Sequence, residues 1–163
     1  MSEPGAEPPN WRQQVARAWR EAARFKGRSR RTELATYVVF QIVLSAALTF
    51  IAGFFFDRLQ LDGFTLGFSL VLAVPLPALL VRRAHDCGFG GWSTVPVVML
   101  ILYQSALSIL AMARGAAARL AAENILWPLD WLAILAGLGA VALVLVPGTA
   151  GPNRFGADPR GTN

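Results

Sequence analysis

Four stretches of this 163-residue chain are too long, too apolar and too free of charge for a soluble core. Leu34 to Phe56 runs 23 residues without a charge. As a helix it is about 34 Å long, enough to cross a bilayer with some tilt. Phe64 to Val81 is uncharged for 18 residues, near the lower limit for a span. Thr94 to Ala113 is the third run. Ile125 to Val146 is the fourth, with Asp130 near its start and Pro147-Gly148 as its stop. Only 15% of the residues are charged, against roughly a quarter in soluble domains. The pattern predicts an all-α polytopic membrane protein with four transmembrane helices, a single compact unit at this length.

The rest of the chain is read around those spans. Residues 1–9 are acidic and proline-rich and are expected to be a disordered tail. Residues 10–31 form a basic segment that starts with Asn10 as an N-cap and Gln13 as its capping-box partner. Trp11, Val15, Ala18, Trp19 and Ala22 then recur at helical spacing, away from most of the arginines. This predicts an amphipathic helix, lying in the headgroup plane or packed on the protein's own loops. The membrane domain covers 32–159, with a polar loop at 82–93, and the tail from 147 to 163 is turn-rich. Pro75 and Pro77 predict a kink late in the second span. The alanines near Arg119 and Glu123 suit a short connecting helix before the fourth span.

Charge placement fixes the expected orientation. Eight of the fifteen Lys and Arg lie between Arg12 and Arg31, two in the 82–93 loop and two in the tail. The other face has Arg58, Arg114 and Arg119. Twelve against three is a positive-inside bias that puts both termini and the loop in the cytoplasm. The net charge of +5 is therefore read as contact with anionic lipid headgroups, not with nucleic acid. The single cysteine excludes an intramolecular disulfide.

The densest polar chemistry is Arg82-Arg83-Ala84-His85-Asp86-Cys87-Gly88-Phe89-Gly90-Gly91-Trp92-Ser93, which holds the only histidine and the only cysteine. Together with Phe25-Lys26-Gly27-Arg28-Ser29-Arg30-Arg31-Thr32-Glu33 and Pro147-Gly148-Thr149-Ala150-Gly151-Pro152-Asn153-Arg154-Phe155-Gly156-Ala157-Asp158-Pro159, it resembles the DUF805 family. The three ordered motifs cover about residues 25 to 159. Leu34-Ala35, Ala84 and Ser93 stand where the family tends to have other residues. The resemblance implies a small multi-pass protein of the bacterial inner membrane and supplies no reaction, because the family's activity is unknown.

By this topology the three motifs meet on the cytoplasmic face. Arg28, Arg31, Glu33, Arg82, Arg83, His85, Asp86, Gly88, Gly91, Trp92, Asn153, Arg154 and Asp158 are the candidate site residues. One reading is an ion-pair lattice tying the motifs together. The spacing of Arg83 and Asp86 lets them face each other if the helix continues one turn, so exchanging the two charges should then restore part of a lost pair. The other reading is a shallow anion site, with arginines for phosphate and glycines admitting backbone amides. No catalytic residue, cofactor or metal is assigned: no phosphate loop or nucleophile elbow is present, and His85, Asp86 and Cys87 are too few and too close for a zinc site. Gln41, Ser45, Thr49, Ser69, Gln104, Ser105 and Ser108 are the polar residues within the spans, each expected to bond across helices or to its own backbone. With no ionisable residue at mid-depth, transport by one copy is disfavoured. A pore between subunits of a homo-oligomer stays open, since Gly137 and Gly139 would allow close helix contact, and a membrane-protein partner is the other expected contact. The expected role is structural, adaptor or lipid-associated and non-enzymatic. The alternative is an enzyme or transporter for a phosphate-bearing lipid or solute at the His85, Asp86, Arg82 and Arg83 cluster.

Overall fold

A computed structural model describes residues 9–160. The expected disordered tail falls, but for Pro9, outside them. The described chain is all-helical: α1 (Trp11–Arg20), α2 (Arg31–Ala52), α3 (Arg58–Ala73), α4 (Leu76–Asp86), a 3-10 turn (Gly91–Thr94), α5 (Val95–Arg114) and α6 (Ala116–Leu145). Four helical stretches are long and apolar enough to cross a membrane: α2, α3 with α4, the 3-10 turn with α5, and α6.

Local chemistry sets the boundaries. Asn10 and Gln13 exchange hydrogen bonds at 3.0 Å in a capping box that starts α1. Asp57 and Gln60 build a second one, so α3 begins at Arg58, earlier than the apolar run alone indicates. The second span breaks at Val74-Pro75. Pro75 and Pro77 lack the N–H groups that would bond the carbonyls of Val71 and Ala73. The Val74 N–H bonds Val71 O instead, at 3.1 Å. The buried Tyr37 hydroxyl of α2 donates to Leu72 O at 2.8 Å, so a neighbouring helix covers the break.

The largest departure from the sequence reading is α6. Ala116 to Glu123, expected as a connection, forms the opening turns of a 30-residue helix, about 45 Å long. Alanine has the highest helix propensity, and Arg119 pairs with Glu123 one turn on at 2.7 Å. Gly115, at φ +85, is the single residue that reverses the chain from α5 into α6.

The buried apolar core is small and sits at one end. Ala18, Leu34, Tyr37, Leu79 and Leu80 pack together where α1, α2 and α4 meet. Contacts run in reversed order along α1 and α2, from Arg17 beside Glu33 to the Trp11 ring at 6.4 Å from that of Phe40. Thus α1 folds back antiparallel along the first turns of α2. Elsewhere large apolar side chains such as Ile42, Val43, Phe55 and Leu135 face outward. A hydrophobic outer surface on helices of this length suggests a membrane protein, in which lipid covers that surface.

Candidate functional site

The end of the molecule above this core buries charge. Arg28, Glu33, Arg82, Arg83 and Asp86 are all buried, Arg83 and Asp86 to 1% and 2% exposure. The reason lies in helix ends. Asp86 occupies the last turn of α4, where the helix dipole disfavours an anion. Two arginines compensate it.

Arg83, one turn back, pairs through Nη1 with Asp86 Oδ2. Its remaining donors point across to α6, with Nε donating to Leu143 O at 2.7 Å and Nη2 to Val146 O. Those carbonyls are left over at the end of α6, so Arg83 caps that helix while it pairs with its own. Arg28 comes from the segment between α1 and α2. A glycine before it, Gly27 at φ +92, and a bond from Ser29 N–H to Arg82 O at 3.1 Å hold that segment against α4. Its guanidinium spans Asp86 Oδ1 (Nε 2.9 Å, Nη2 2.8 Å), Thr149 O (2.6 Å) and Gly151 O (2.6 Å).

The tail completes the assembly. The Thr149 N–H and hydroxyl donate to Asp86 O at 2.8 and 2.9 Å, and the Asn153 amide donates to His85 O at 2.9 Å. Asp86 O would otherwise be an orphan at the end of α4, while His85 O also accepts from the Gly88 N–H at 3.1 Å. Gly148 passes so close that a Cβ there would stand 2.5 Å from Asp86 Cγ and nearer still to Oδ2.

A second group of charges faces α1. Arg82 pairs with Glu21 and lies 3.7 Å from Glu33, while Arg17 reaches Glu21 at 3.2 Å and Glu33 at 3.8 Å. Burial pushes the Glu21 carboxyl up, but Arg17, Arg82 and Arg24 outweigh it and hold it below the ordinary glutamate range.

His85 turns the other way from Asp86. Its Nδ1 lies 3.1 Å from Gly27 O, and its ring stacks on Phe155 with centroids 4.0 Å apart. The Arg154 guanidinium lies over Phe155 and donates to Gly88 O at 3.1 Å. The imidazole is therefore not oriented by its neighbouring carboxylate, which weakens any acid–base pairing of the two. Burial also pushes the Cys87 thiol up, which disfavours the reactive thiolate.

Eleven of the thirteen candidate residues lie in or against this assembly. Gly88 takes φ +82 after α4, Gly91 packs against Val81 and His85, and Asp158 accepts from Gly151 N–H at 2.9 Å. Hydrogen bonds from Arg160 hold the Asp158 carboxyl well below the usual range. Two are placed elsewhere: Arg31 is exposed at the start of α2 with no ion pair among the described residues, and Trp92 is 87% exposed. The sequence reading missed Glu21, Gly148, Thr149 and Phe155 as partners. The last three lie within the closing stretch, which was the available signal.

Residues 22–157 match the model of a family described as "Protein of unknown function (DUF805)", and the chain belongs to that family. No curated protein and no solved structure matches it. The Arg28, Arg83 and Asp86 assembly lies wholly inside the matched region, whereas α1, with Arg17, lies outside it.

Proposed function

We propose that this is a multi-pass protein of the bacterial inner membrane with a non-enzymatic, lipid-associated or adaptor role. Both termini and the charged assembly face the cytoplasm in this reading, which rests on the distribution of twelve of fifteen Lys and Arg. The observation that carries the non-enzymatic part is the use of the arginines. Arg28, Arg82 and Arg83 are buried, and their charge is met by Asp86, Glu21, Glu33 and backbone carbonyls. A phosphate-bearing substrate would need a free cation there. These arginines, His85 and Asp86 line neither the cavity of about 660 Å³ between α5 and α6 nor that of about 1080 Å³ among α2, α3 and α5.

Around the assembly stand exposed cations, among them Arg12, Arg20, Arg24, Lys26, Arg31 and Arg154. They suit anionic headgroups or an acidic face of a membrane-protein partner. Helix α1, with Trp11 and Trp19 partly exposed, suits the interface beside them. Gly137 and Gly139 meet nothing within 4 Å, leaving α6 open for close contact with a second copy.

Two measurements test this. In Arg83→Gln a buried carboxylate and two helix-end carbonyls lose donors, so stability in detergent should fall by about 1 to 3 kcal/mol, with co-purified phospholipid unchanged by native mass spectrometry. Normal stability with loss of a bound phospholipid would favour a ligand site instead. For orientation, an impermeant maleimide should label Cys87 in inverted inner-membrane vesicles and spare it in intact spheroplasts. Because that thiol is partly buried, Phe89→Cys, at a 57% exposed position in the same loop, provides a second probe. Labelling of either from the outer side overturns the topology.

A further inference from the structure

Of the seven polar residues named within the spans, all but Ser45 line one cavity of about 1080 Å³ between α2, α3 and α5. Helix α2 supplies Gln41 and Thr49, and α3 supplies Thr65 and Ser69. Helix α5 turns Gln104, Ser105 and Ser108 to the same space, at the i, i+1 and i+4 spacing of one helix face. The mouth, with Arg58, Asp62 and Arg119, lies at the end opposite the charged assembly. The other end, at Leu76, abuts the packed Leu79 and Tyr37. Gln41 and Thr49 are eight residues apart, so the polar wall extends for about 12 Å along the helix.

Bonding within the wall defines what it can accept. Ser105 and Ser108 donate to carbonyls one turn back at 2.7 and 2.9 Å, which leaves their oxygens facing the cavity as acceptors. Thr49 and Thr65 share a contact at 3.5 Å. The Gln41 and Gln104 amides and the Ser69 hydroxyl make no hydrogen bond among the described residues, so they offer both donors and acceptors. An apolar occupant would suit Leu66, Leu70 and Ile101 of the same wall but would leave these polar groups unsatisfied. An ion would find no charged group below the mouth. Hydroxyl groups, which donate and accept, match both kinds of wall group.

We infer that this cavity is a binding site for a small, uncharged, polyhydroxylated solute entering from the face opposite the arginine assembly. Its volume is just above the usual range for small-molecule pockets.

The test uses the full chain in lipid nanodiscs, in a Cys87→Ser background, with Ser69→Cys in the cavity wall. Val71→Cys, at an outward position, serves as the control. A charged, impermeant methanethiosulfonate should modify Ser69→Cys at least about tenfold faster than Val71→Cys, because only the former thiol ionises in water. Sorbitol should slow that reaction by about threefold at twice its dissociation constant, while a polyethylene glycol too large to enter should not at equal viscosity. Adding Gln104→Leu should abolish the protection but keep the reactivity. Thr65→Cys repeats the measurement if Ser69→Cys does not fold. Equal reaction rates for cavity and control would mean a dry cavity, and fast reaction without protection by sorbitol would mean water alone. Either result overturns the inference.

Discussion

Gly148→Ala is expected to destabilise the protein by about 3 to 5 kcal/mol, the cost of breaking a buried ion pair. The added methyl group would overlap the Asp86 carboxylate. A flexible side chain could swing aside, but Asp86 is gripped by Arg28 and Arg83, so it can move only by abandoning them. Moving the backbone instead would pull Thr149 from Asp86 O and from Arg28. Thermal unfolding in detergent, with Gly90→Ala as the control, reads this directly. Gly90 has an ordinary extended φ of −71, and a methyl group added there would meet nothing within 4 Å, so its variant should unfold like the parent. Equal unfolding temperatures for both variants would mean that the tail does not dock on α4 as described.

Asp86→Asn should match that effect by a different route. Asparagine keeps the shape and one acceptor oxygen but removes the charge, leaving two buried guanidiniums with neutral partners alone, again a cost of about 3 to 5 kcal/mol. Unfolding in a detergent titration measures it, and a parent-like midpoint would mean that water already shields these arginines. The same geometry alters the expectation for exchanging the pair. The spacing of Arg83 and Asp86 suggests that reversing both charges restores part of the loss. Yet Arg83 also donates to Leu143 O and Val146 O, and Asp86 also holds Arg28. In the exchanged protein a carboxylate would face two carbonyls and an arginine would face Arg28. Arg83→Asp with Asp86→Arg should therefore be no more stable than either single change.

Much of this architecture was legible because its signals are local. Uncharged runs mark the four spans, Asn10 and Gln13 announce α1, and the prolines at 75 and 77 announce the break. The Arg83–Asp86 contact follows from a three-residue spacing. Other features depend on which groups meet across the fold. Nothing near Arg28 names Asp86 as its partner 58 residues away, and nothing near Gly148 says that a carboxylate will press against it. The cavity escaped for another reason. Spans apolar nearly all round show little amphipathic contrast, so inward and lipid-facing sides look alike. Only the spacing of Gln104, Ser105 and Ser108 hinted at a common face. The opening of α6 reads in the sequence as a separate short helix because Arg119 and Glu123 mark charges outside the fourth span, although their spacing lets them pair along one continuous helix.

The reach of Arg28 also bears on biogenesis. This side chain is made 121 residues before Thr149 and 123 before Gly151, whose carbonyls it needs. During synthesis the four apolar helices are complete while Arg28, Arg83 and Asp86 still lack the last stretch that closes over them. The assembly thus forms only after the ribosome has passed residue 151. A nascent product cut short before residue 149 would carry every apolar helix and still leave its arginine donors open, a difference that a membrane protease could read.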